Sequence, residues 1–354
     1  MNYPNEIKEL LDTLIKQGGS DLHLSALRHP TIRVSGELIP LVQKPELTGE
    51  DTKGLVLELL AGGDKELFLK QKDIDFAYAL PDGTRFRGNA FFQKGMVGAA
   101  LRLIPARIPT FEELNLPPIL KEFAFKEQGF FLVVGPVGQG KSTTLAAMIE
   151  LVNVERARHI ITVEDPLEYM FAEKKSIIDQ REVGFDTRDF KTALRSMFRE
   201  DVNIAMIAEM RDPETIAAAV TAAETGHLVL STLHTNNASQ TIDRIIDTFP
   251  AAQQNQIRLQ ISTSLLAIFS QRLIPRISGG RIPAYELLIN NYAIANLIRE
   301  SRTAEITSVL ETSAEDGMIS MNQHLADLVR RGEITQETAF AYSQNPEALQ
   351  RRLT

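Results

Sequence analysis

The stretch Gly135-Pro136-Val137-Gly138-Gln139-Gly140-Lys141-Ser142 satisfies G-x-x-x-x-G-K-[ST] in full, and it lies between an apolar run, FFLVV, and a helix-forming run, TTLAAMIE. A buried strand that turns through glycines straight into a helix restricts the fold to an α/β chain built on a mostly parallel sheet. The glycines let the backbone wrap with its N–H groups inward, so loop amides and the helix N-terminus face anionic oxygens. A structural turn has no need of the Lys141-Ser142 pair. A polyphosphate does: Lys141 pairs with β- and γ-phosphates and Ser142 ligates Mg²⁺, which makes ATP with Mg²⁺ the expected ligand. Val137 and Gln139 fill variable positions of the motif and leave phosphate binding intact.

Hydrolysis on such a loop needs an acid near the metal and a group that orients or deprotonates water, both at the ends of neighbouring strands. HIITVEDPLEY ends an apolar run at Glu164-Asp165-Pro166, and NIAMIAEMRD ends another at Glu209. Glu209 is the expected base, and Glu164 is expected near the metal or the water. HLVLSTLHT adds a strand with His227 before it and His234 at its far end. A separation of seven puts the two on opposite faces of one continuous strand and gives them unequal work. His234, followed by Thr235 and Asn236, is the better phosphate sensor.

Four strand-like runs (FFLVV, HIITV, NIAMIA and HLVLST) alternate with helical stretches, as in a parallel sheet covered on both faces. Ahead of them Leu10, Leu11, Leu14 and Ile15 recur at helical spacing, and DLHLSA, TIRVSGEL, DFAYAL, RFRGNAFF and GAALRLI alternate like an antiparallel sheet, interrupted by a helix near LVLELL. Four prolines between Pro105 and Pro118 disfavour regular structure and suit a hinge. The domains are therefore expected at 1–106, a linker at 107–117, an ATPase core at 118–290 and a helical region from 291 to 354, helical beyond Tyr292.

The formal charge of −8 works against a broad nucleic-acid footprint, and the lack of cysteine removes disulfides, thiolate zinc sites and cysteine nucleophiles. Six scattered histidines give no metal-ligand spacing. No apolar run reaches the roughly 18 residues needed to span a bilayer, and MNYPNEIKELL is not a secretory leader, so a cytoplasmic protein is expected.

GPVGQGKST, ITVEDPLEY, AEMRDPETIAAAVTAAETGH and LSTLHT, in this order, resemble the secretion-superfamily ATPases that power type II secretion and type IV pili. Within them the chain is similar to the twitching-motility retraction ATPases. The resemblance implies an N-terminal PAS-like α+β domain over SDLHLSALRHPTIRVSGEL, a RecA-like P-loop ATPase domain ending near SQRLIPRISGGRIPAYELL, and a C-terminal helical region. It maps the Walker A box onto Gly135 to Thr143, the Asp box onto Glu164 and Asp165, the Walker B region onto Glu209 and Arg211, and the His box onto His227 and His234. It further implies a homo-hexamer at the inner face of the bacterial cytoplasmic membrane, acting on a platform protein there. In that ring Arg85, Arg87 and Arg102 of one subunit reach nucleotide held between subunits, and His227 contributes to binding.

Assembly ATPases of the superfamily typically carry a further N-terminal domain and often a tetracysteine motif, so a start at the PAS-like segment and the lack of cysteine favour retraction. AIANLIRE at 293–300 matches the retraction signature except that Ala295 replaces an arginine. An assembly or secretion ATPase, a weakly active accessory subunit and a nucleic-acid translocase are the alternatives.

Overall fold

The computed structural model describes residues 2–34, 36–105 and 107–353. The chain divides into two compact units, Met1–Ala106 and Arg107–Thr354.

The first unit runs α1 (Tyr3–Lys16), β1 (Asp21–Ser25), β2 (Thr31–Val34), β3 (Glu37–Pro40), α2 (Gly49–Leu59), α3 (Gly62–Gln71), β4 (Asp73–Ala79), β5 (Arg85–Gln93) and β6 (Met96–Leu103). The strands form one antiparallel sheet in the order β3-β2-β1-β6-β5-β4. Asn2 caps α1, and Ile7, Leu10, Leu11 and Leu14 bury its apolar stripe, whereas Ile15 falls off the stripe and is exposed. A reciprocal Thr48–Asp51 capping box starts α2. These helices share a core with Leu22, Leu24, Phe86 and Leu101 of the sheet. Each such side chain, fully buried, contributes about 1.5–3 kcal/mol.

The second unit begins with α4 (Ile119–Ala124), β7 (Gly129–Val134), α5 (Lys141–Glu155), β8 (His159–Glu164), β9 (Ile177–Glu182), α6 (Phe190–Met197), β10 (Ile204–Ile207) and α7 (Pro213–Glu224). It continues through β11 (Leu228–Leu233), α8 (Ala238–Asp247), α9 (Ala251–Ser264), β12 (Leu265–Pro275) and β13 (Arg281–Ile289). It closes with α10 (Tyr292–Arg299), α11 (Ile306–Thr312), α12 (Met321–Arg330), α13 (Gln336–Tyr342) and α14 (Pro346–Leu353). The sheet order is β13-β12-β7-β11-β10-β8-β9, parallel throughout except for the β12–β13 pair. Every residue of β7 is buried, because Phe131 and Val133 pack with α5 on one face while Phe130, Leu132 and Val134 pack with α7, α8 and α9 on the other. That is why FFLVV reads as an unbroken apolar run.

The proline-rich segment is not free along its length. Phe111 and Leu116 are buried in the core of the second unit, Lys121 pairs with Glu112, and Arg107 pairs with Glu113. Two apolar side chains are enough to fix a stretch that its prolines keep from regular structure. Among the described residues no helix is long and apolar enough to cross a membrane.

Candidate active site

In an open parallel sheet, ligands bind beyond the carboxyl ends of the strands, where the strand order reverses. Here that point is β7, with β11 on one side and β12 on the other. Residues 135–140 leave β7 there and run into α5, whose N-cap Gly140 is left-handed (φ 78°) and offers no side chain to the first helical amides. Those amides stay available for an anion. Gly135 is required on steric grounds as well: a Cβ there would lie 2.4 Å from the Gln271 carbonyl oxygen.

Lys141 is buried, and its ammonium donates to the Pro136 carbonyl at 3.0 Å and to His234 Nδ1 at 3.1 Å. An ammonium can only donate, so Nδ1 accepts and Nε2 carries the hydrogen. Nε2 in turn meets Glu209 Oε1 at 3.2 Å, and Arg211 donates to Glu209 Oε2 at 2.7 Å. Lys141, His234, Glu209 and Arg211 thus form one continuous line. The Arg211 hydrogen bond, helped by the one from His234, holds the Glu209 carboxyl below its usual range and ready to accept. Burial pushes the Lys141 ammonium down, partly offset by Glu209 and Glu168. A cavity of about 570 Å³ opens beside Glu209 and His234, lined also by Arg211, Asn236, Gln240 and Arg244.

Glu164 lies at the end of β8 but not beside Ser142. Its carboxylate is 4% exposed and accepts from Thr162 Oγ1 (2.7 Å), Gln180 Nε2 (3.3 Å) and the Glu168 amide (3.4 Å). Asp165 is exposed. The carboxylate beside Ser142 is Glu168, whose Oε1 accepts the Ser142 hydroxyl at 2.8 Å, while the Tyr169 hydroxyl lies 3.0 Å from Thr143 Oγ1. Glu164, a buried strand-end acid, is thus occupied by its own neighbours and does not touch Ser142. A serine hydroxyl backed by a carboxylate is a hard-oxygen pair that suits Mg²⁺. Among the described residues no cluster of three or more acidic or histidine side chains forms a metal cage.

Burial raises the Glu164 carboxyl to about 7 against the pull of Thr162 and Gln180. With the folded value above the ordinary 4.5, the folded chain binds more protons between those two pH values, so stability falls as pH rises through the window. Glu164→Gln removes this dependence. The melting temperature of the variant relative to the parent is expected to climb by several degrees between pH 5 and pH 8, reflecting up to about 3 kcal/mol. An offset that is the same at both pH values would show that Glu164 does not titrate in this range.

His227 and His234 do not share a strand. Both lie just outside β11, at opposite ends of it, so counting alternate faces does not apply to them. His234 stands at the loop. His227 stands a strand length away, roughly 20 Å at 3.3 Å per residue, with Nδ1 on the Ala222 carbonyl and its ring edge-on to Phe198. Within its own subunit it is not brought to the phosphate loop. In the first unit, Arg102 is paired in register with both Asp21 and Arg87, and Arg85 lies two residues from Arg87 on the same face. Arg102 Nε donates to Asp21 Oδ1 at 2.8 Å. Burial pushes the Asp21 carboxyl up, but the Ser20 and Arg102 hydrogen bonds outweigh it and leave the group low.

Gln271 on β12 has no counterpart among the expected site residues. It is buried, accepts from Thr144 Oγ1 at 2.8 Å and donates to the Gln139 carbonyl at 2.8 Å, while the Gln139 side chain accepts from the Leu273 amide at 2.7 Å. The loop is pinned to β12 from both directions. Gln139, at a variable position of the motif, supplies half of that lock.

Residues 113–326 match the family described as Type II/IV secretion system protein. The type IV pilus retractation ATPase PilT of Pseudomonas aeruginosa is 44% identical over 342 residues, covering 97% of this chain and 99% of its own. The twitching motility protein of Neisseria gonorrhoeae is 44% identical over 321 residues, covering 90% of this chain and 86% of its own. Among solved structures, the pilus retraction motor PilT with bound ADP superimposes with a TM-score of 0.91 at 46% identity, covering 97% of this chain and 98% of that one.

Proposed function

Because the chain belongs to the type II/IV secretion system protein family, we propose that it is an ATPase that drives retraction of type IV pili and thereby twitching motility. One observation carries the reading: the loop lysine, His234 and Glu209 form a single hydrogen-bonded line at the carboxyl edge of the sheet. In this reading the loop amides and Lys141 grip the β- and γ-phosphates. Glu209 accepts a hydrogen bond from the attacking water and draws off its proton as the γ-phosphoryl departs, and His234, touching both Lys141 and Glu209, registers whether the γ-phosphate is present. Ser142 is the loop residue that would ligate a nucleotide-borne Mg²⁺, which would supply positive charge against the phosphates.

Six copies form a ring in this proposal, with Arg85, Arg87 and Arg102 of one subunit completing the site of the next. Nucleotide-driven closure of the N-terminal unit on its neighbour turns the ring against a platform protein at the inner face of the cytoplasmic membrane. The chain itself stays on the cytoplasmic side. Deleting the gene in its source organism is expected to leave surface pili in place, in normal or raised number, and to abolish twitching. Bald cells would assign the motor to assembly instead.

A further inference from the structure

A hydroxyl has one proton and two lone pairs, so a serine that ligates a cation must point its proton at some other acceptor. In P-loop NTPases the metal is held by the loop Ser/Thr together with an aspartate from a neighbouring strand. Here β10 runs out through Ile207 and Ala208 with no aspartate, and Glu209 beyond it is committed to Arg211 and His234. Glu164, at the end of β8, is committed to Thr162, Gln180 and the Glu168 amide. The carboxylate that meets the Ser142 hydroxyl is Glu168, at 2.8 Å.

We infer that Glu168 is the positioning residue for the metal-binding serine: it accepts the Ser142 hydroxyl hydrogen bond and so leaves that oxygen's lone pairs free for a nucleotide-borne Mg²⁺. The inference rests on the ATPase reading and adds to it a residue four positions beyond the strand-end acid. The local build supports it. Glu164 holds the Glu168 amide, and Gln180 donates to the Tyr169 carbonyl at 2.9 Å, so the turn that follows β8 is fixed from below by two buried or half-buried side chains. That turn sets a carboxylate against Ser142 and a phenol against Thr143, two consecutive partners for two consecutive hydroxyls. Glu168 itself is exposed, so replacing it removes no core packing.

The test is binding of a fluorescent ADP analogue to the full-length protein, in EDTA and across a MgCl₂ titration. Glu168→Gln and Glu168→Ala are expected to shift the MgCl₂ midpoint upward by about 10–100-fold, the usual effect of removing a group that orients a metal ligand, with affinity in EDTA unchanged. Ser142→Ala should give a similar shift, and the double variant no more than either alone, because both act through one contact. An unchanged midpoint in Glu168→Ala, an equal loss in EDTA, or shifts that add in the double variant would each overturn the assignment. A parent protein that fails to bind the probe in either buffer would take down the ATPase reading itself.

Discussion

Glu209→Gln is expected to lower kcat for ATP hydrolysis by about 10²–10⁴-fold, the range lost with a positioned general base, while leaving nucleotide binding close to that of the parent. The amide keeps the size of the carboxyl group and an oxygen for His234 Nε2 to meet, so the line from Lys141 through His234 survives in outline. What it cannot do is take a proton. The carboxylate of the parent is held ionised by Arg211 and His234, which is the state a base must start from. Steady-state kcat beside the dissociation constant of an ADP analogue separates the two effects. A variant within tenfold of the parent in kcat would show that the proton goes elsewhere.

Lys141→Ala should fail differently. It removes a buried cation directed at the phosphates, and a charge pair about 4 Å apart in a protein-like effective dielectric contributes on the order of 4 kcal/mol. That corresponds to roughly 10³-fold in kcat/KM. Because the lysine acts on bound nucleotide as well as on the transition state, its loss should appear in the dissociation constant too, unlike that of Glu209. The substitution also leaves His234 Nδ1 without its donor and loosens the ring that faces Glu209. Retention of parental affinity and turnover would exclude the loop as the nucleotide grip.

The loop, its strand and its helix were legible because every determinant lies within about twenty consecutive residues: an all-buried strand, glycines where φ must be positive, and the Lys-Ser pair. Glu209 and His234 were legible because each follows an apolar strand in a chain already committed to a parallel sheet. The lock by Gln271 was not, since it bonds Thr144 across 127 positions and nothing local marks a buried glutamine on a strand as a loop support. Glu168 was not legible because the turn that seats it depends on Gln180 of an edge strand, β9, which nothing in the local sequence ties to it. That strand, IIDQRE, is itself weakly marked, and so is α3, which buries only Phe68. The relation of His227 to His234 was not legible from parity, which has meaning only for residues inside a strand, and both histidines flank β11.

The polar side chains of this loop are already spoken for: Lys141 by Pro136 and His234, Ser142 by Glu168, Thr143 by Tyr169. A triphosphate therefore has to displace these partners from the side chains, while the first helical amides wait for it uncapped. When products leave, the first arrangement snaps back without waiting for an outside partner. A loop whose side chains have partners of their own to return to is ready for the next nucleotide as soon as the last one has gone.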